Sequence, residues 1–256
     1  MKTALIGYTG FVGGNILKQK SFTDMYNSSN VTDINGKTYD LLVCAGAPGI
    51  KWKANKEPQA DFESIQKLKQ NLSVVQAAYV VLISTIDVYD TPFNVDETSQ
   101  IKPENQHVYG KHRLQLEEFV SKQFPKSTII RLPGLFGKGI KKNFIYDLIH
   151  DKNLELTHNE SKFQFYNLDN LWKDIQKIID QDIKLVNFAT PPVSAKEVAM
   201  LGGKENYSTI TTSRPVYYDV KTINAPLFGQ VTEYMYSKEN VLAELKNFIE
   251  KGKSEL

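Results

Sequence analysis

The sequence predicts an α/β protein built on a doubly wound parallel sheet, and three observations carry that reading. Short apolar runs alternate with longer segments of helical period as far as about residue 137. The clearest runs, at 3–7, 39–45, 79–85 and 127–132, are almost continuously apolar, as strands covered on both faces are. The first of them leads directly into a glycine-rich turn and then into a helical segment.

Taken in order, the run 3–7 is the first strand, 13–19 a helix and 22–26 a weaker strand. The strand 39–45 precedes a helix over 61–78, the strand 79–85, a helix over 109–124 and the strand 127–132. A helix over 168–180 and a late strand over 185–189 follow. The last helix, 237–250, opens on Ser237, which can cap it, with Glu239 and Glu244 among its polar positions. Past Gly137 the alternation stops, so a smaller lobe is expected to grow from the carboxyl-terminal edge of the sheet. No repeat, low-complexity tract or Pro/Gly-rich linker divides the chain.

Composition narrows the class of function. The 256 residues suffice for one or two domains with a sizeable core. At 41% hydrophobic and 23% charged, the chain is neither disordered, collagen-like nor a coiled coil. Thirty-one Lys+Arg against 29 Asp+Glu leave a charge of only +2, which argues against nucleic acid as the main partner. The single cysteine, Cys44, can form no internal disulfide and fits a reducing cytoplasm. The amino terminus lacks the apolar length of a signal peptide, and no run approaches the ~20 apolar residues of a membrane span. A soluble, cytoplasmic protein with no membrane partner is expected.

The turn reads Gly7-Tyr8-Thr9-Gly10-Phe11-Val12-Gly13-Gly14. Glycines at 7, 10 and 13 allow a tight turn and a close approach of backbone to a pyrophosphate. The following helix offers unpaired N–H groups and its positive dipole end. The spacing GxxGxxG differs from the usual GxGxxG, and its place between a strand and a helix is what gives it meaning. A dinucleotide site is expected on Gly7, Thr9, Gly10, Phe11, Val12 and Gly13. At the second strand, Asp24 could bind ribose hydroxyls but lies inside the strand, whereas Asn27 and Ser28 at its tip could accept a 2′-phosphate without an adjacent Arg. NAD and NADP both stay open.

A second cluster follows: Ser84-Thr85-Ile86-Asp87-Val88-Tyr89, then Val108-Tyr109-Gly110-Lys111-His112-Arg113. With the glycine turn, these resemble the extended short-chain dehydrogenase/reductases, and within them the NAD-dependent epimerase/dehydratase branch. The segments Arg131–Gly137 and Phe165–Leu171 are similar to later motifs of that family, and the likeness runs over about residues 1–190. The resemblance implies a Rossmann-like fold that binds NAD(P) and acts on a nucleotide-linked sugar. It implies an acid/base phenol at Tyr109, a substrate-orienting hydroxyl at Thr85, and cofactor contacts from the small-residue loop Cys44, Ala45, Gly46 and from Leu132, Pro133, Gly134 and Leu135. It also implies a division into a cofactor domain over 1–138, to which 163–190 return, and a substrate lobe of 139–162 and 191–256.

The chemistry explains these residue types. A phenol has an ordinary pKa of about 10 and needs a nearby cation to lose its proton near neutrality. The family pattern Y-x-x-x-K supplies that cation as lysine, and this chain carries Arg113 in its place. One turn along a helix, Arg113 lies on the face of Tyr109, while Lys111 points away. Arginine keeps the charge and can bond ribose but does not readily release a proton. A second departure is at the helix before 79–85, where Asn71 stands late and Ser64-Ile65-Gln66 occupy the middle.

On the substrate side, Thr85, Asp87, Asn143 (with Lys141 or Lys142) and Arg214 are the candidate ligands. Tyr217-Tyr218 and Tyr234-Met235-Tyr236 could stack on a sugar or nucleoside, or could be core. The four histidines show no metal-ligand spacing, so no metal is expected. The short segment 143–162 suits a smaller substrate, or a homodimer in which a partner chain completes the pocket. The expected function is an NAD(P)-dependent oxidoreductase or epimerase, with dehydration less favoured because Thr85 lacks an adjoining Asp-Glu pair. The alternative is an NAD(P)-binding regulator or scaffold without turnover, which Arg113 would favour.

Overall fold

The computed structural model describes residues 1–255, the side chain of Pro103 excepted. Its main sheet has six strands: β1 (Thr3–Ile6), β2 (Asp24–Tyr26), β3 (Thr38–Cys44), β4 (Gln76–Thr85), β5 (Ser127–Leu132) and β6 (Leu185–Asn187). They lie in the order β2-β1-β3-β4-β5-β6. Every pairing from β2 to β5 is parallel, with Ile6 opposite both Tyr26 and Cys44. The helices of this part are α1 (Phe11–Gln19), α2 (Lys51–Lys56), α3 (Pro58–Ser73), α4 (Val108–Gln123) and α5 (Leu171–Asp180).

Residues 27–37 between β2 and β3 hold one 3₁₀ turn, Val31–Ile34. Through them the chain crosses past β1 and lays β3, also parallel, on its other side. The winding therefore changes direction between β1 and β3. At such a switch point the carboxyl ends of the strands leave a crevice for a ligand.

The strands predicted from apolar runs are present, with shifted edges. The helix expected over 61–78 begins at Pro58, with proline in its first turn, and ends at Ser73. Gln76 and Ala77 belong instead to β4, paired with Thr38 and Tyr39 of β3. Their local propensity is helical, and pairing with the buried β3 overrides it. The final helix runs over Lys238–Ser254 with the Ser237 hydroxyl accepting the Asn240 N–H, as its sequence suggests, and extends one turn further.

The chain packs as two units: Met1–Thr91 with Ser99–Leu132 and Asp169–Val186, and Pro92–Thr98 with Pro133–Leu168 and the chain from Asn187 onward. In the first unit, Ile6, Leu42, Leu82, Ile65, Leu72 and Leu116 form a core between sheet and helices. In the second, short strand pairs join Gly134–Phe136 to Phe165–Asn167 and Phe93–Val95 to Asp219–Val220. Its core gathers Phe136, Phe144, Leu148, Val198, Leu245 and Ile249. Glu97 organises it, accepting the Asn187 N–H at 2.7 Å and the Ile223 N–H at 2.9 Å. Among the described residues, no helix is long and apolar enough to cross a membrane.

A buried ionic cluster fixes α4 to the sheet. Glu117 of α4 accepts the Arg131 guanidinium through Nε at 3.1 Å and through its terminal nitrogen at 2.7 Å, and it also accepts the Ser84 hydroxyl. Arg131 donates onward to the Tyr89 hydroxyl at 2.9 Å. Ser84 immediately precedes the strand-end Thr85, so this cluster sets the register between the tip of β4 and the first turns of α4. Glu117→Leu should strand the Arg131 charge in the interior and cost about 3–5 kcal/mol. A lower denaturant midpoint with an unchanged slope is the expected reading, and Glu117→Leu with Arg131→Met should recover most of the loss.

Candidate active site

The glycine turn sits at the switch point. Gly7 has φ +89°, and a Cβ on it would lie 2.3 Å from the Ala45 carbonyl oxygen. A Cβ on Gly13 would lie 2.2 Å from the Gly7 carbonyl oxygen. These two glycines are required by packing alone. Gly10 is different, because its Cβ would meet nothing closer than the Gly7 oxygen at 3.2 Å. Gly10 is exposed and begins α1 without any side-chain cap. The helix start keeps its N–H groups and dipole available to an anion, and Thr9, Phe11 and Val12 are all at least partly exposed there. The cradle fits a dinucleotide pyrophosphate.

The tip of β2 carries no carboxylate. Asp24 is opposite Ala4, at the far end of the strand from the turn. Its carboxylate accepts the Tyr39 hydroxyl at 2.6 Å and has Lys37 at 3.7 Å. The Tyr39 hydrogen bond outweighs burial and, with Lys37, holds its pKa below the ordinary value. At the tip itself, Asn27 donates to the Tyr8 hydroxyl at 3.2 Å and accepts the Ser29 N–H at 2.8 Å, while Ser28 is exposed. From the small-residue loop, Cys44 turns its side chain into the core, where burial pushes the thiol up to about 11 against a backbone hydrogen bond from Gly46. Ala45 donates its N–H to the Ile6 carbonyl at 2.9 Å, and a Cβ on Gly46 would press on Ile6 at 2.8 Å. Any contribution of Cys44 to a ligand is therefore through its backbone.

The catalytic candidates meet where β4 ends and α4 begins. Thr85 is the last residue of β4, and Tyr109 is the second of α4. His107 caps α4 by accepting the Gly110 N–H on Nδ1 at 3.1 Å. Tyr109 is buried, and the Thr85 hydroxyl acts on its phenol, lowering its pKa. Burial raises the Tyr109 pKa and Asp87 adds to it, while Arg113, the Thr85 hydroxyl and Lys51 pull it down; the balance stays above the ordinary value. At neutral pH the phenol keeps its proton.

Arg113 stacks its guanidinium 4.0 Å from the centre of the Tyr109 ring. Its terminal nitrogens grip Asp61 of α3 at 2.5 and 2.8 Å, and they also donate to the carbonyls of Tyr109 and Pro48. His112 Nδ1 lies 2.7 Å from the same carboxylate. Burial alone would raise the Asp61 pKa, but Arg113 and His112 overcome it and hold the carboxylate below its ordinary 3.8. The Arg113 Nε is buried without a partner. Lys111 is exposed, so the two lie on different faces of α4 as the helical spacing requires.

Asp61 and the residues of α2 were not singled out from the sequence. Lys51 pairs with Asp87 at 2.7 Å, and Asn55 accepts the Tyr109 N–H at 3.0 Å. Asn71 donates to the Lys67 carbonyl one turn back, within its own helix.

The remaining candidates are placed separately. Leu132 is buried at the end of β5. In the second unit, a Cβ on Gly134 would lie 2.7 Å from the Gln164 carbonyl oxygen, and Pro133 and Leu135 are half-buried. Asn143 is not displayed as an anion ligand. At φ +101° its side-chain oxygen accepts the N–H groups of Ile145 and Tyr146, and its amide donates to the Leu135 carbonyl at 2.9 Å. Lys141, Lys142, Arg214 and Tyr217 are exposed, and Tyr234 donates to Asp219.

The sequence profile of the RmlD substrate binding domain family matches residues 1–159. No curated protein matches the chain. Among solved structures, a dTDP-4-dehydrorhamnose reductase from Clostridium acetobutylicum is similar at TM-score 0.70 and 22% identity, covering 98% of this chain and 99% of that one. A dTDP-4-dehydrorhamnose reductase from Bacillus anthracis in complex with NADP gives 0.73 at 19%, covering 98% and 99%. RMD from Pseudomonas aeruginosa, complexed with NADPH, gives 0.76 at 12% and covers both chains fully, at 100%.

Two outcomes follow from the site geometry. Gly10→Val should still fold, after a shift of a few tenths of an ångström from the Gly7 oxygen, and lose dinucleotide binding in calorimetric titration, whereas Gly13→Ala, 2.2 Å from that oxygen, should fail to fold stably. Asp61 supplies a pH signature. Its folded pKa is depressed, so its stabilisation is present above 3.8 and is lost as the pH falls from there through the lower folded value. Asp61→Asn should lower stability at pH 7 and flatten its acid dependence over that window in chemical denaturation.

Proposed function

The chain belongs to the RmlD substrate binding domain family, and from that premise we propose that it is an NAD(P)-dependent reductase of a nucleotide-linked keto sugar. The observation that carries this reading is the meeting of Thr85, at the end of β4, with the buried phenol of Tyr109, in the first turn of α4. A proton donor is what carbonyl reduction requires at the substrate oxygen.

Each residue then has a role. The turn Gly7–Gly13 and the start of α1 hold the pyrophosphate, and the backbone of Ala45 and Gly46 lines the site beside it. A bound NAD(P)H supplies the hydride. Thr85 orients the substrate oxygen with its hydroxyl, and Tyr109 gives its proton to that oxygen as negative charge develops there. Arg113 acts on the phenol as a fixed charge stacked on its ring. It is not assigned to the ribose, because its terminal nitrogens are already committed to Asp61 and two carbonyls.

One observation favours a second reading, in which the chain binds cofactor without turnover. Arg113 is almost fully buried and gripped on both ends of its fork, so it offers no exchangeable proton. Incubation with NADH or NADPH and a panel of nucleotide-linked keto sugars separates the two. Nicotinamide absorbance falling together with a product two hydrogens heavier supports the reductase. Tight cofactor binding with no product across the panel supports the second reading.

Two outcomes are expected of the reductase. Tyr109→Phe should keep cofactor affinity and lose turnover by about 10²–10⁴-fold, the usual worth of a positioned proton donor. The tip of β2 has neither a carboxylate to repel a 2′-phosphate nor an arginine to bind it. Calorimetric Kd values for NADH and NADPH should therefore fall within about tenfold of each other, a difference of no more than about 1.4 kcal/mol.

A further inference from the structure

Lys51 and Asn55 stand one turn apart on α2, on a single face that meets the start of α4. Asn55 takes the Tyr109 N–H at 3.0 Å. Lys51 takes the Asp87 carboxylate at 2.7 Å. Asp87 is pressed against the first turn of α4, since a Cβ on Gly110 would lie 2.1 Å from its carbonyl oxygen. Its own N–H bonds the Thr85 hydroxyl at 3.1 Å, the same hydroxyl that lowers the Tyr109 pKa. A bare carboxylate here would hold the proton on that phenol.

His107 reports on the same carboxylate. Its Nδ1 accepts the Gly110 N–H, so the neutral ring carries its hydrogen on Nε2. That nitrogen lies 4.0 Å from the Asp87 carboxylate. The charged groups around the cluster are Lys51 from α2, Asp87 beyond β4, and His107 and Arg113 at α4, with Asp61 of α3 balancing Arg113.

We propose that Lys51 is a positioning residue for the Tyr109 proton: through its pair with Asp87 it cancels the carboxylate beside the phenol and supplies the electrostatic task that Arg113, tied to Asp61, no longer performs alone. The inference rests on Tyr109 being the proton donor of the proposed reductase. The directions agree with it. On Tyr109, after burial, Arg113 lowers the pKa most, Asp87 raises it, and Lys51 lowers it by a smaller amount. On His107, burial lowers the pKa first, Lys51 lowers it further, Asp87 raises it, and Arg113 lowers it. The Lys51 side chain is 38% exposed, and a pair this open adds little to stability. Its removal leaves the fold in place.

The test uses the full chain in five forms: parent, Lys51→Met, Lys51→Arg, Asp87→Asn, and Lys51→Met with Asp87→Asn. One readout is the His107 ring titration by nuclear magnetic resonance, assigned by the signal that His107→Asn removes. The other is kcat/KM in the alcohol-oxidising direction, where Tyr109 must first lose its proton. Lys51→Met should raise the His107 pKa and lower kcat/KM about tenfold at a fixed pH below the inflection, the usual reach of a neighbouring charge, with cofactor Kd unchanged. Lys51→Arg should leave both readings at the parent values, and the double variant should return both toward them. Parent-like readings in Lys51→Met overturn the proposal. So does Lys51→Arg behaving as Lys51→Met, which would make Lys51 a proton carrier in place of a neutralising charge. Absence of turnover in every form overturns the reductase reading instead, and the His107 titration then decides by itself whether Lys51 neutralises Asp87.

Discussion

The ion pair between Arg113 and Asp61 is the constraint on which the site depends. It joins three separate parts of the first unit: the loop after β3 through the Pro48 carbonyl, α3 through Asp61, and α4 through Arg113 and the Tyr109 carbonyl. A lysine at position 113 could make a point contact with Asp61, but its single ammonium could not fork across both carboxylate oxygens and still reach two carbonyls. A buried pair of this kind contributes little net stability over well-packed apolar residues, because both ions must leave water. What it supplies is geometry. Removing either partner is costly, and with both present the Tyr109 ring has one place to lie, 4.0 Å beneath the guanidinium.

That geometry divides two tasks that a single helix lysine can combine. A lysine can place a positive charge near the phenol and can also exchange a proton with solvent. Arg113 keeps the first property in a fixed form, with Asp61 and His112 on its far side. Burial therefore dominates the phenol, which holds its proton at neutral pH. Burial makes this phenol a weaker acid than a solvated one, and Arg113 offsets part of that effect.

Much of this fold is legible in the amino-acid order because burial leaves a period. The runs in β1, β3 and β4 are largely apolar, β5 carries Ile129, Ile130 and Leu132, and Gly7 and Gly13 stand where any side chain would collide with backbone. The end of α3 was not legible, because Gln76 and Ala77 become strand only by pairing with β3, a long-range event. Asp61 could have been found. It occupies the first position of the face Asp61, Ile65, Leu68, Leu72, all buried, and an acid on an otherwise apolar stripe needs a cationic partner. Arg113 is that partner. Asn143 illustrates the opposite case: a polar residue at a helix start reads equally as ligand or cap, and only the +101° backbone and its hydrogen bonds decide for the cap.

The part of the site contributed by α2 lies beyond any local pattern. This helix has six residues, and Lys51 and Asn55 share a face with nothing in the sequence to say what that face meets. The meeting is decided by the loop that precedes it, residues 45–50, which is anchored at Ala45 by β1 and at Pro48 by Arg113. The same guanidinium that fixes the phenol thus also fixes the approach of α2, and with it the distance from Lys51 to Asp87. The Asp61–Arg113 clamp and the Lys51–Asp87 pair are linked through the loop whose Pro48 carbonyl Arg113 holds.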